Sequence, residues 1–187
     1  ADRVAAKLGD YVVTESGFAA DIGFEKFLDI KCRYSGVKPN ATVIVATIRA
    51  FKCHGGAPNP VPGRPMPEEY KKENVAWVEK GMENLLQHLN IVKQSGINPV
   101  VCLNAFAGDT DNEVKAVRRF VESAGARFAV SKHWEHGGAG AKELAEAVID
   151  ACKTETKVKY FYELETPLNQ RLDTLAKNVY GADGVDY

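Results

Sequence analysis

Residues 98–130 read NPVVCLNAFAGDTDNEVKAVRRFVESAGARFAV, and their pattern decides the fold. Asn98–Leu103 is a short apolar run that ends in polar and small residues. Its apolarity is continuous rather than alternating, which fits a strand buried on both faces of a parallel sheet. Asp111–Ala124 has a helical pattern, opens with Asp-Asn and is followed by Gly125, a cap at each end. Arg127–Val130 is a second apolar run. Strand, helix, strand in this order predicts an α/β layered fold with right-handed crossovers.

The same alternation extends outward. Upstream lie two more Val-rich runs, Thr42–Ile48 (TVIVATI) and Tyr11–Thr14 (YVVT), both expected as strands. Helical patterns cover Phe24–Arg33, Pro67–Ser95 with Gly96 as its stop, Ala141–Cys152 after a glycine cluster, and Pro167–Tyr180 before Gly181. Thr154–Tyr162 (TETKVKYFY) is a candidate fifth strand. Gly55–Pro67 (GGAPNPVPGRPMP) is too rich in Pro and Gly for regular structure, and is either a functional loop or a plain surface connection. The expected organisation is an α/β domain over residues 1–153, carrying the site loops, with a strand and helix extension over 154–187 packed on it.

Composition narrows the class. With 45% hydrophobic and 26% charged residues, the chain of 187 residues is ordinary for a globular protein. A net charge of -1 offers no basic excess for nucleic acid or an anionic membrane surface. No apolar run approaches the ~20 residues of a membrane span. Cys32, Cys53, Cys102 and Cys152 form no C-x-x-C pair, and are read as reduced thiols in a cytoplasmic protein.

In open parallel sheets, ligands bind beyond the carboxyl ends of the strands. Four segments then become candidates: Glu15–Asp21, Arg49–Gly56, Asn104–Asp111 and Ser131–Gly138. Phe106 and Trp134 would follow neighbouring strands and clamp a planar ring, unless both are core side chains. Arg49 and Lys52 are either anion partners or a solvated charge pair. Glu15 and Asp21 are candidate acceptors from a ligand N–H or a metal-bound water. His133 and His136 stand three apart without a third ligand, so surface or capping roles fit them better than a metal site. The backbone N–H groups of Gly137-Gly138-Ala139-Gly140 precede a helix and are candidates for an anion. Neither G-x-x-x-x-G-K-[ST] nor G-x-G-x-x-G occurs.

Longer motifs carry a resemblance. VATIRAFKCHGG, Val45 to Gly56, resembles VAT-[IV]-RALK-x-[HN]-GG of the formate–tetrahydrofolate ligases. DYVVTESGFAADIGFEKFLDIKCR, Asp10 to Arg33, is similar to another family segment, as are NPVVCLNAF with the following DTD, His133–Gly140 and YGADGV at Tyr180–Val185. Phe51, Ala19 and Ala107-Gly108 depart from the usual Leu, Gly and Pro-Thr.

The resemblance implies ATP-dependent joining of formate to tetrahydrofolate through formyl phosphate, with ATP, Mg²⁺ and tetrahydrofolate as substrates and no tightly bound cofactor. It implies that Phe106, Trp134 and Phe18 serve the folate, and that Asn104, Ala107, Ser131, Gly137 and Gly138 line part of a nucleotide pocket. Family members carry a glycine-rich phosphate loop upstream of these motifs. The chain is therefore expected to be an internal fragment, inactive alone, with a fold like part of a P-loop NTPase domain lacking that loop. Its expected partners are the small-molecule substrates, the rest of a parent chain and a second copy of itself. The alternatives are a non-catalytic folate- or nucleotide-binding or assembly module that needs a partner chain, and a nucleotide-binding α/β domain of other chemistry.

Overall fold

A computed structural model describes residues 1–187. Three strands form one sheet: β1 (Ala41–Ala46), β2 (Asn98–Asn104) and β3 (Arg127–Ser131). Both pairings are parallel and the spatial order is β1-β2-β3. Eight α-helical pieces surround the sheet: α1 (Asp2–Leu8), α2 (Arg33–Ser35), α3 (Ile48–Gly55), α4 (Val75–Gln94), α5 (Asp111–Ser123), α6 (His133–His136), α7 (Lys142–Cys152) and α8 (Leu168–Asn178). The expected α/β class with a parallel sheet and flanking helices is the observed one.

The sheet is built by burial. β2, the central strand, carries Val100, Val101, Cys102 and Leu103, all at most 3% exposed. Side chains alternate faces along a strand. Val101 and Leu103 join Ile48, Phe51, Val78, Met82, Leu85, Leu89, Val117 and Val121 in the main core, under α3, α4 and α5. A second cluster joins Phe24 and Leu28 to Ile91, Val92 and Ile97 and to Val179 near the chain end.

At two points of their crossing, helices α3 and α4 touch backbone to backbone. A Cβ at Gly55 would overlap the carbonyl oxygen of Trp77, and one at Gly81 would overlap that of Phe51. Glycine is the residue that permits two backbones to approach this closely.

Several sequence expectations change. Thr42–Ile48 ends as a strand at Ala46, because Thr47 caps α3: its side chain accepts from the Ala50 N–H at 3.1 Å, and Ile48 opens the helix. Tyr11–Thr14 forms no strand. A strand needs a ladder partner, and Tyr11, Val12 and Val13 are exposed instead, at 57%, 42% and 92%. Phe24–Arg33 is wound more widely than expected, as π-helical turns at Ala20–Phe24 and Phe27–Cys32 that lead into α2. Thr154–Tyr162 forms no strand either. Its neighbour is the Ser95–Gly96 turn, which accepts from the N–H groups of Lys159 at 2.8 Å and Lys157 at 3.3 Å and offers no further ladder.

The C-terminal residues are held by a clasp. The buried Asp29 carboxylate accepts from the Phe161 N–H at 3.1 Å and from Arg33 at 3.2 Å. The Arg33 guanidinium lies 3.9 Å from the centroid of the Tyr160 ring. Gly55 of the Gly- and Pro-rich segment is the last residue of α3; from Gly56 to Pro67 it lacks regular structure, and it is followed by a 3₁₀ turn at Glu68–Lys71. The buried Tyr70 ties that turn back by donating to the Pro58 carbonyl at 3.0 Å. All four cysteines are free thiols.

Candidate functional site

Because the strands are parallel and adjacent, the segments after β1, β2 and β3 emerge at one edge of the sheet. After β1, α3 begins at once, and Arg49 stands exposed in its first turn. After β2, the chain closes a tight turn. The Phe106 N–H donates to Asp109 Oδ2 at 2.9 Å, and the Asp109 N–H returns a bond to the Phe106 carbonyl at 2.9 Å. Asn104 ends β2 and pairs in register with Ser131, and the Ala105 N–H donates to the Ser131 carbonyl at 3.0 Å. Ala107 and Gly108 lie exposed at the tip of the turn.

The turn passes directly into a cap. Thr110 and Glu113 form a reciprocal capping box at the start of α5, the T-x-x-E pattern that marks a helix start. Sequence reasoning credited this start to Asp-Asn; the structural cap is the threonine before them.

Glu113 does more than cap. Its Oε1 accepts from the Asn74 N–H at 2.8 Å and faces Lys52 Nζ at 2.8 Å, and Oε2 accepts from the Thr110 N–H at 3.2 Å. The Lys52 ammonium also donates to the carbonyls of Lys72 at 2.8 Å and Tyr70 at 3.2 Å. Three acceptors saturate its three donors. Lys52 is thus neither an anion partner nor a solvated charge: its side chain is 1% exposed and pins α3 to α5. Burial pushes the Glu113 carboxyl up, but the Asn74 and Thr110 N–H groups and Lys52 together hold it below the usual range.

Arg49 takes a different role from Lys52, one turn away on the same face. Its guanidinium carbon lies 4.0 Å from the centroid of the half-buried Phe106 ring. Such contacts contribute about 0.5–1 kcal/mol at exposed sites. The neighbouring Asp109 carboxyl is pushed up by burial. The Phe106 N–H pulls against that, Glu113 adds to the push, and Arg49 and Lys52 add to the pull.

After β3, Ser131 is buried and its hydroxyl lies 2.9 Å from His133 Nδ1. Trp134, on the single turn α6, is 87% exposed. Gly137 and Gly138 are exposed and start the 3₁₀ turn Gly137–Ala141, which delivers α7 with no side-chain cap on its first N–H groups. His133 and His136 are both exposed.

The fourth expected loop does not join these three. Since Tyr11–Thr14 is not a strand, Glu15–Asp21 does not follow a strand end. Glu15 and Phe18 are exposed, with Phe18 at 86%. Asp21 sits in a π-helical turn, close enough to the half-buried His88 of α4 to act on its charge. No hydrogen bond or ion pair links this loop to Phe106, Trp134 or Arg49. Two surface depressions along α4 and α5, one lined by Asn112, Lys115, Arg118 and Arg119, contain none of the expected residues. No three His, Cys, Asp or Glu side chains converge as a metal site.

The sheet, its crossovers and this shared loop edge define an α/β protein of the open parallel class. The sequence profile of the formate–tetrahydrofolate ligases matches residues 1–187. The chain belongs to that family. The formate–tetrahydrofolate ligase of Desulfotalea psychrophila is 68% identical over all 187 residues, which are 34% of that protein. Those of Desulforapulum autotrophicum and Syntrophobacter fumaroxidans are 65% and 58% identical, again over the whole chain and 32% of each relative. The chain thus spans about a third of the length of the curated relatives it matches.

Proposed function

We propose that this chain is the part of a formate–tetrahydrofolate ligase that carries the folate platform and one wall of the nucleotide pocket. The observation that supports it is the end-to-end family match, together with Phe106 and Trp134 following adjacent parallel strands. In the reaction, a formate oxygen attacks the γ-phosphorus of ATP, giving formyl phosphate and ADP. N10 of tetrahydrofolate then attacks the formyl carbon, the bond to the phosphate oxygen breaks, and the amine proton is lost. Phosphorylation is needed because formate itself would have to expel oxide.

In this reading Phe106 and Trp134 offer flat faces to the pterin and Phe18 adds an apolar contact. Asn104, Ala107, Ser131, Gly137 and Gly138 approach the nucleotide, where small residues and backbone N–H groups leave room for it. Arg49 stands at the mouth of the site, and Glu15 and Asp21 are left as peripheral polar contacts. Mg²⁺ enters with ATP as substrate. The work is in the cytoplasm, a setting that suits four free thiols.

Turnover needs groups that neutralise charge on the transferred phosphoryl. No G-x-x-x-x-G-K-[ST] sequence occurs among these 187 residues. The purified 187-residue chain is therefore expected to form no 10-formyltetrahydrofolate from ATP, formate and tetrahydrofolate; measurable turnover would overturn that.

The folate platform is tested in the full polypeptide that carries this segment. Phe106→Ala and Trp134→Ala should each lose roughly 1–3 kcal/mol of stacking, borrowing the scale of base–aromatic contacts. The expected result is a raised KM for tetrahydrofolate with a nearly unchanged KM for ATP. If both rings serve only packing, folate affinity holds and stability falls by about 3–5 kcal/mol instead. For Trp134, 87% exposed, the second outcome would contradict the observed burial as well.

A further inference from the structure

Arg49 breaks a local rule. It lies in the first turn of α3, where the helix dipole disfavours a cation, and no acidic residue shares that turn. It makes no ion pair and no side-chain hydrogen bond with any residue of the chain. The contact it does make is with the Phe106 ring, face on at 4.0 Å. Residues that violate a local preference are concentrated at functional sites.

One buried carboxylate anchors the backbone on both sides of that contact. Glu113 holds Lys52, one turn along α3 from Arg49, and it holds the Thr110 N–H, next to the Asp109 that closes the Phe106 turn.

We infer that Arg49 is a positioning residue: it covers one face of Phe106, so that a flat heteroaromatic ligand stacks on the opposite face alone, in a guanidinium–phenyl–ligand stack. The inference rests on the reading of Phe106 as a folate-stacking residue. The planar fork of arginine suits this task, since it stacks on aromatic faces where an ammonium cannot lie flat. A ring open on both sides would accept the ligand in two positions.

The test uses the full polypeptide that carries this segment, with tetrahydrofolate as probe. Arg49→Ala and Arg49→Met should raise the KM for tetrahydrofolate about threefold to fivefold, the equivalent of one exposed cation–ring contact. The KM for ATP and the melting temperature should hold, and Arg49→Lys should recover part of the loss. In a Phe106→Ala background, Arg49→Ala should add no further loss. Full additivity of the two, or an equal rise in the ATP KM, overturns the inference. A folate defect in Phe106→Ala with none in the Arg49 variants overturns it too, while leaving the stacking reading intact. No folate defect in Phe106→Ala, or no folate affinity in the unmodified polypeptide, removes that reading and the inference with it.

Discussion

Lys52 and Glu113 are 1% and 0% exposed, and each is the other's only charged partner. Removing one member of such a pair strands a charge in the interior, which costs about 3–5 kcal/mol, whereas replacing both with apolar residues is often nearly neutral. Lys52→Met is therefore expected to lower unfolding free energy strongly, and Lys52→Met with Glu113→Gln, which removes the stranded charge but keeps an acceptor for the Asn74 and Thr110 N–H groups, to recover part of it, as read by urea titration. The pair also has a pH signature. The Glu113 carboxyl is depressed in the folded state. Its contribution is thus fully present above the unfolded value of about 4.3 and is lost as pH falls through the lower folded value. Unfolding free energy should fall more steeply below about pH 4.3 in the native chain than in Glu113→Gln. Sequence reasoning grouped Lys52 with Arg49, because both are basic and follow a strand. What separates them is depth: one turn of helix carries Lys52 from the exposed rim to a carboxylate that belongs to another helix. Spacing along the chain does not reveal that partner, although the T-x-x-E at Thr110–Glu113 was readable as a cap.

At the scale of elements, β2 and β3 were legible because their apolar runs are buried, while β1 was legible from its Val-rich run although it has no buried residue. Continuous apolar runs report burial on both faces, and β2 is buried on both. The two segments that failed, Tyr11–Thr14 and Thr154–Tyr162, have strand-like composition but pair with neither open edge of the sheet. Composition states a preference, and pairing depends on a neighbour supplied from far along the chain. Helix α3 was hidden for the opposite reason. Its eight residues include Lys52 and His54 among apolar ones, and the preceding Val-rich strand runs into it without a break. Its contact with α4 gives a direct test. A methyl group at position 81 would meet the Phe51 carbonyl, part of a backbone that cannot swing aside. Gly81→Ala should cost about 1–3 kcal/mol or more by overpacking, despite alanine's better helix propensity. A rise in melting temperature for that variant would show that the helices can separate freely.

Across the whole molecule, β1 pairs only with β2, so its other edge carries no ladder partner. Val43 and Val45 on it are 40% and 65% exposed, and Tyr11, Val12 and Val13 add further exposed apolar surface. An unpaired apolar edge is a template for a second chain. Light scattering of the 187-residue chain is expected to show concentration-dependent association, and Val45→Lys is expected to reduce it. A clean monomer at high concentration would remove this expectation. The loops at the carboxyl ends of β2 and β3 lie within one residue of where they were expected, since the strands run on to Asn104 and Ser131, while Glu15–Asp21 follows no strand. The glycine contact between α3 and α4 bears on inheritance as well as stability. Two backbones that touch through Gly55 and Gly81 must keep their mutual depth to within a fraction of an ångström, and at those two points there is no side chain that can adjust. A crossover that takes α3 from one homologue and α4 from another joins halves that have drifted separately. Shuffled ligases should therefore survive when residues 48–94 travel as one cassette, and fail when the junction falls inside the Pro-rich loop that separates the two helices.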